Sequence, residues 1–233
     1  MSEPQVRAMF DRIAGFYDVM NSVMTAGLHH RWRSRAVDLA EVGPGSQVLD
    51  VASGTGDLAI ELARRVAPAG DVIGSDFSEQ MLANARKKSS RSSENGVGAI
   101  RWEWGNALDL PYASARFDAA TVGFGARNFS DLDQGLSEMA RVVKPGGKVV
   151  VLEITTPHKP PLSTFYRVWF DRVVPLIGRV TGEDEAYTYL PNSVRRFPGP
   201  EGLAAAMTRA GLTDVRWILT AGGIIALHVG TRT

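Results

Sequence analysis

The sequence predicts a doubly wound α/β fold built on a seven-stranded, mostly parallel sheet with an antiparallel last strand. Two observations predict it. From Ser46 onward, short β-branched runs alternate with longer amphipathic stretches, the pattern of parallel strands covered by helices. The chain then closes on runs at 214–219 and 224–230 with only Thr220 to Gly223 between them, too few residues for a helical crossover, so that pair is antiparallel.

In order, the strands fall at 47–52, 71–76, 99–104, 117–122 and 148–153, each a short apolar or β-branched run. Helices at 57–66, 79–88 and 132–143 lie between them, and an amphipathic helix at 201–210 precedes the closing pair. Lys144-Pro145-Gly146-Gly147 reads as a β-turn entering strand five. Residues 88–98 (KSSRSSENGVG) are polar and rich in Ser and Gly, and read as a loop. Two regions break the alternation: 1–44, read as helices rich in Met and aromatics, and 155–199, rich in Pro, aromatics and Arg. Both read as covers over the sheet. The organisation is therefore one domain: a helical cover (1–44), a ligand-binding core (45–154), an insertion (155–199) and a closing helix and strand pair (200–233).

The chain has 233 residues, 44% hydrophobic and 22% charged, enough to bury a full core. A net charge of +1 provides no global field toward nucleic acid. Without cysteine there is no disulfide framework, thiolate nucleophile or Cys-ligated metal centre, and the four histidines show no ligand spacing, so no metal is expected. The start, MSEPQVRAMFDR, carries charges where a signal peptide needs its apolar core, which predicts a cytoplasmic protein.

The strongest motif is Val48-Leu49-Asp50-Val51-Ala52-Ser53-Gly54-Thr55-Gly56-Asp57, an apolar strand running into a glycine turn and a helix, where backbone approaches a ligand closely. Asp76, twenty residues past Gly56, ends the second strand and suits the two hydroxyls of an adenosine ribose. Gly54-x-Gly56-x-x-Ala59 also satisfies the dinucleotide fingerprint, so NAD competes with S-adenosylmethionine. A pyrophosphate would be repelled by Asp57 at the helix start, whereas a sulfonium and an ammonium would be attracted by Asp50 and Asp57. Charge therefore selects S-adenosylmethionine. The bland alternative makes Asp57 a helix cap and Asp50 a hydrogen-bonded strand end. Asn106-Ala107 after strand three could read an adenine edge or form a plain turn, and Phe77 and Met81 could sandwich the ring or belong to the core.

With these motifs in place, the chain resembles the demethylmenaquinone/ubiquinone C-methyltransferase family of class I S-adenosylmethionine-dependent methyltransferases. The resemblance rests on Phe16-Tyr17-Asp18-x-Met20-Asn21 with Gly27-x-His29-x-x-Trp32-Arg33, on Gly123-Phe124-Gly125-x-Arg127-Asn128, on YTYLPNSVRRFP at 187–198, and on Thr220-x-Gly222-Gly223-Ile224-x-Ala226-Leu227-His228. It implies a Rossmann-like fold, S-adenosylmethionine held by Thr55, Asp76 and the Asn106-Ala107 pair, and C-methylation of a prenylated hydroquinone. Demethylmenaquinol is favoured, with a ubiquinone precursor, another phenolic or lipid acceptor, or a non-catalytic cofactor-binding regulator as alternatives. Gly123 departs from the Ser that many members carry there. Transient membrane-surface contact is expected from the lipid substrate and from the aromatic and Arg-rich stretch at 164–180; a homodimer is left open.

Carbon methylation needs an acceptor ring activated by loss of a phenolic proton. Arg127 and Asn128 follow strand four at its carboxyl end, where open α/β sheets bind ligands, and are the catalytic candidates: Arg127 to stabilise a phenolate, Asn128 to orient the ring oxygen. The alternative for Arg127 is a loop-holding pair with Asp131 or Asp133. Tyr17 and Arg33 are candidates for closing over the methionine end of the cofactor, His29 for an auxiliary base, and Tyr187 and Arg195 for the quinol site.

Overall fold

The computed structural model describes residues 3–15, 18, 22, 25, 27–92, 98–157, 160, 162–169 and 184–233. Seven strands form one sheet: β1 (Gln47–Val51), β2 (Asp71–Asp76), β3 (Ala99–Trp104), β4 (Phe117–Gly123), β5 (Val143–Ile154), β6 (Leu212–Thr220) and β7 (Ile225–Arg232). Their order is β3-β2-β1-β4-β5-β7-β6. β7 runs antiparallel to both neighbours and the other pairs are parallel, as expected from the short link before it.

The described helices are α1 (Glu3–Ile13), α2 (His29–Leu39), α3 (Asp57–Val66), α4 (Glu79–Ser92), α5 (Leu132–Val142), α6 (Leu162–Val168), α7 (Asp184–Arg196) and α8 (Pro200–Arg209). The fully buried strands leave apolar side chains on both faces, and each face has its own core. On one, Val48, Val72, Val150 and Leu227 pack against Ala36 and Val37 of α2 and Leu58 and Leu62 of α3. On the other, Leu49, Ile73, Val122 and Val151 pack against Leu136 and Met139 of α5 and Leu203 and Met207 of α8. Each such side chain withdrawn from water is worth about 1.5–3 kcal/mol, which is what drives the layers together. α1 packs on neither face. Its Val6, Met9 and Ile13 meet Met81 of α4 and Tyr189 of α7.

The chain leaves β1 toward β2 and β3, then returns to place β4 on the other side of β1. The crevice this reversal opens at the carboxyl ends of the strands is where such sheets hold ligands.

Two sequence expectations differ in detail. Lys144–Gly147 is not a separate turn before strand five but part of β5, which follows α5 directly. Val143 pairs with Phe117 and Lys148 with Ala119, so the extra residues bulge out of the ladder, with Gly146 at φ +81° where a Cβ is disfavoured. α4 continues through Ser92, four residues past its expected end at 88, and Trp102 Nε1 donates to Ser89 Oγ at 3.0 Å across that extension. Residues 93–97 of the expected loop lie outside the described residues.

Candidate active site

The crevice is a cleft of about 910 Å³, open solvent at its mouth included. Its floor comes from the turn after β1. Gly56 sits at φ +87° at the start of α3, and a Cβ there would lie 2.3 Å from Trp102 Cη2, so the backbone can take this path only with glycine.

Three carboxylates line the cleft. Asp50, 1% exposed, accepts from Thr121 Oγ1 at 2.7 Å through Oδ1; the Ala59 backbone N–H approaches the carboxylate, but Oδ2 makes no hydrogen bond of normal geometry. Burial pushes its pKa up to about 7, against the pull of Thr121 and Arg33. A buried oxygen left unpaired at a cavity wall fits a cationic ligand group. Asp76 accepts from Gly54 N at 2.8 Å and from Ser78 N at 2.9 Å, so it ties the glycine turn to the end of β2. Burial raises its pKa to about 6 in spite of those bonds.

Asp57 differs from the expectation that it attracts ligand. It is paired on both oxygens, with Arg33 Nη1 at 3.1 Å and Lys88 Nζ at 2.6 Å. Burial opposes its ionised form, but the two cations prevail and hold its pKa below the usual carboxylate value. Its charge is met by protein partners, unlike that of Asp50. Lys88 also pairs with Asp18 at 2.5 Å, and Asp18 accepts from Thr55 Oγ1 at 2.5 Å, which links the N-terminal cover to the glycine turn.

Phe77 and Met81 line the cleft together with Phe10 of α1, and Asn106 and Ala107 line it beside the end of β3. Asn106 Oδ1 accepts from Leu108 N at 3.0 Å, which fixes the amide. Gly123 lines the cleft without a side chain; a Cβ there would stand 3.1 Å from Leu58 Cδ2. Arg33 lines it too, its guanidinium 5.8 Å from the Phe124 ring centroid.

Arg127 and Asn128 separate. Asn128 lines the cleft, and Tyr189 Oη donates to its Oδ1 at 3.0 Å. Arg127 is not among the lining residues: its Nη1 donates to Glu153 Oε1 at 2.7 Å and to the Phe124 carbonyl, and its backbone N–H donates to Glu153 Oε2 at 3.2 Å. Both side chains of this pair are buried, at 7% and 1% exposed. Neither acid weighed as its loop partner is used: Asp131 caps α5 by accepting from Gln134 N at 3.0 Å, and Asp133 pairs with Arg209 at 2.7 Å.

His29 is buried between Ser22 and Arg33 and does not line the cleft. Burial, then Arg33 and His30, push its pKa down to about 4, so it is neutral at pH 7. Arg195 is exposed in the last turn of α7. Tyr17 and the side chain of Tyr187 lie outside the described residues, as does most of the 164–180 stretch. The sequence singled out neither Phe10, Phe129 nor Glu153, and gave no role to Phe124 and Tyr189 although both lie in the runs quoted for the resemblance. Glu153 had a signal: a carboxylate ending the apolar run VVVLE at a strand's carboxyl end.

The family model for the ubiE/COQ5 methyltransferase family matches residues 1–232. The chain belongs to that family. Among curated relatives, a demethylmenaquinone methyltransferase of Thermus thermophilus is 46% identical over 226 residues, covering 96% of this chain and 100% of that protein. A ubiquinone/menaquinone biosynthesis C-methyltransferase UbiE of a Geobacter species is 40% identical over 228 residues, covering 98% and 96%. Among solved structures, a SAM dependent methyltransferase from Aquifex aeolicus aligns with TM-score 0.63 at 16% identity over 86% of this chain and 89% of that one, a likeness of fold.

Proposed function

We infer that the protein transfers the methyl group of S-adenosylmethionine to a ring carbon of a prenylated hydroquinone, with demethylmenaquinol as acceptor and menaquinol as product. The observation that carries this reading is that the match to the family spans residues 1–232 and so includes both covers as well as the cofactor half, which alone would indicate only a superfamily. The naphthoquinol acceptor is favoured by relatives at 46% and 42% identity named for demethylmenaquinone.

The buried, unpaired Oδ2 of Asp50 fits the cationic end of S-adenosylmethionine. Asp76 would take the ribose hydroxyls, Phe10, Phe77 and Met81 the adenine faces, Asn106 and Ala107 its edge, and Arg33 the carboxylate. When bound, the cofactor supplies an electrophilic methyl group on a sulfonium. Asn128 holds the acceptor's ring oxygen, and the apolar wall of Phe124 and Phe129 excludes water from the ring. The acceptor, its phenolic proton lost to bulk solvent on binding, would gain the methyl at the ring carbon with the thioether S-adenosylhomocysteine as the leaving group, and the hydrogen of that carbon would pass as a proton to the phenolic oxygen. Arg127, neutralised by Glu153 and turned from the cleft, holds the turn that presents Asn128. The membrane reading belongs here too: Leu28, Leu162 and Val168 are 42%, 39% and 47% exposed on the two covers and suit contact with the lipid that carries the substrate.

Methyl-labelled S-adenosylmethionine, incubated with the protein and either reduced demethylmenaquinone or a demethylated benzoquinol, tests the reading. Label is expected in the extracted naphthoquinol. Label only in the benzoquinol moves the acceptor to a ubiquinone precursor. Label in neither, with calorimetry showing cofactor binding, overturns the reading in favour of another acceptor or a regulator.

A further inference from the structure

We propose that Tyr189 is a positioning residue for methyl transfer: by donating to Asn128 Oδ1 at 3.0 Å it fixes the amide so that its N–H donors face the cleft and bind the phenolic oxygen of the acceptor. The proposal rests on the quinol reading of the site and deepens it.

An amide has one acceptor end and one donor end. If the oxygen faced the cleft it would repel a phenolate, and if the nitrogen faced it the phenolate would be stabilised. Asn128 is short and sits in a 3₁₀ turn (Ala126–Asn128) pinned by Asn128 N donating to Gly125 O at 3.0 Å and by the Arg127–Glu153 pair. The backbone is fixed, and the remaining freedom is the amide flip. Tyr189 removes it. The tyrosine is 8% exposed, its ring packed among Val6, Met9 and Ile13 of α1 and Met81 of α4, so its hydroxyl oxygen is held in place beside the amide. Burial raises the Tyr189 pKa above its usual value, which keeps the hydroxyl a donor throughout the neutral range. A phenolic hydroxyl can donate or accept, and here Tyr189 donates to the acceptor end of Asn128, which leaves the two N–H donors for the ligand. Removing one such donor to a developing oxyanion typically costs 10²–10³ in rate. The cover formed by α1 and α7 thereby acts on the reaction through one hydroxyl.

The test uses 1-naphthol, an aryl alcohol that reports its own ionisation by absorbance, bound to the protein saturated with S-adenosylhomocysteine. Wild-type protein is expected to bind it and to lower its pKa by about one unit more than Tyr189→Phe does, that is, to make it a tenfold stronger acid. With demethylmenaquinol, Tyr189→Phe is expected to lower kcat at least tenfold while calorimetry finds cofactor affinity within about twofold. Because both residues act as one device, adding Tyr189→Phe to Asn128→Ala should change nothing further. Equal naphthol ionisation in wild type and Tyr189→Phe, or additive losses in the double variant, overturns the proposal. If Tyr189→Phe fails to fold, Asn128→Asp decides: it keeps the bond from Tyr189 and removes the N–H donors. Naphthol should then ionise at higher pH than in wild type, and unchanged ionisation overturns the proposal. Failure of the wild type to bind naphthol overturns it as well. A wild type that shifts naphthol but labels no quinol refutes the quinol reading alone, and quinol labelling indifferent to these substitutions refutes the positioning role alone.

Discussion

Asp50 and Asp76 are the two side chains whose chemistry is set most by where they are buried. An aspartate whose pKa is raised on folding favours the protonated folded form, so its contribution to stability is present below about pH 4 and is lost as pH rises through about 7 for Asp50 and about 6 for Asp76. A cationic ligand needs the opposite, ionised state. Cofactor affinity is therefore expected to rise from pH 5.5 to pH 8 by about tenfold or more, as one pKa unit corresponds to 1.36 kcal/mol. Calorimetric titrations at both pH values check this; flat affinity would mean that Asp50 does not touch the cation. Glu153 poses the converse case, a buried acid already fully partnered. Glu153→Gln keeps the volume but removes the charge opposite the Arg127 guanidinium, 7% exposed, at a cost of about 3–5 kcal/mol. A fall in melting temperature of about 10 °C is expected, and a melt unmoved would show that the pair does not hold the turn.

Among the elements, the turn from β1 into α3 depends on both of its sides. Its path needs Gly56 at φ +87°, and the indole of Trp102 on β3 occupies the space over it. Gly56→Ala is expected to cost about 1–2 kcal/mol for left-handed backbone and about 1–3 more for the collision with Trp102, with cofactor affinity falling as the turn shifts. Denaturant melts and calorimetry on one preparation measure both, and an unaltered pair of values would mean the turn is not held where it lies. The strand pattern, the glycine turn and the antiparallel closing pair were legible because each is written in local periodicity. The β5 bulge was not, since Lys144–Gly147 makes a good local turn and only pairing with Phe117 and Ala119 extends the strand through it. α4 outran its Ser-rich end for a like reason: Ser89 is held by Trp102, a partner distant in sequence.

For the whole molecule, the cleft lies where the two covers meet the carboxyl edge of the sheet. Among the described residues no helix is long and apolar enough to cross a membrane, so access to a prenylated substrate would depend on surface contact. Liposome flotation is expected to recover part of the protein, with more recovered when demethylmenaquinone is in the bilayer; no recovery in either case removes the membrane contact from the proposed function. The sequence by itself determined the fold class, the succession of the seven strands with the helices near 57–66, 79–88, 132–143 and 201–210, and the glycine turn with Asp76 at the end of β2, because these follow from spacing along the chain; it did not place the helix at Asp184–Arg196. It also carried the family resemblance. The tertiary structure alone decided which charges are available: Asp57 is neutralised by Arg33 and Lys88, Arg127 by Glu153, while Asp50 keeps one oxygen unpaired and Asn128 is turned by Tyr189. Charge and hydrogen-bond partners depend on distances of a few ångströms between residues far apart in sequence, and no local pattern encodes them.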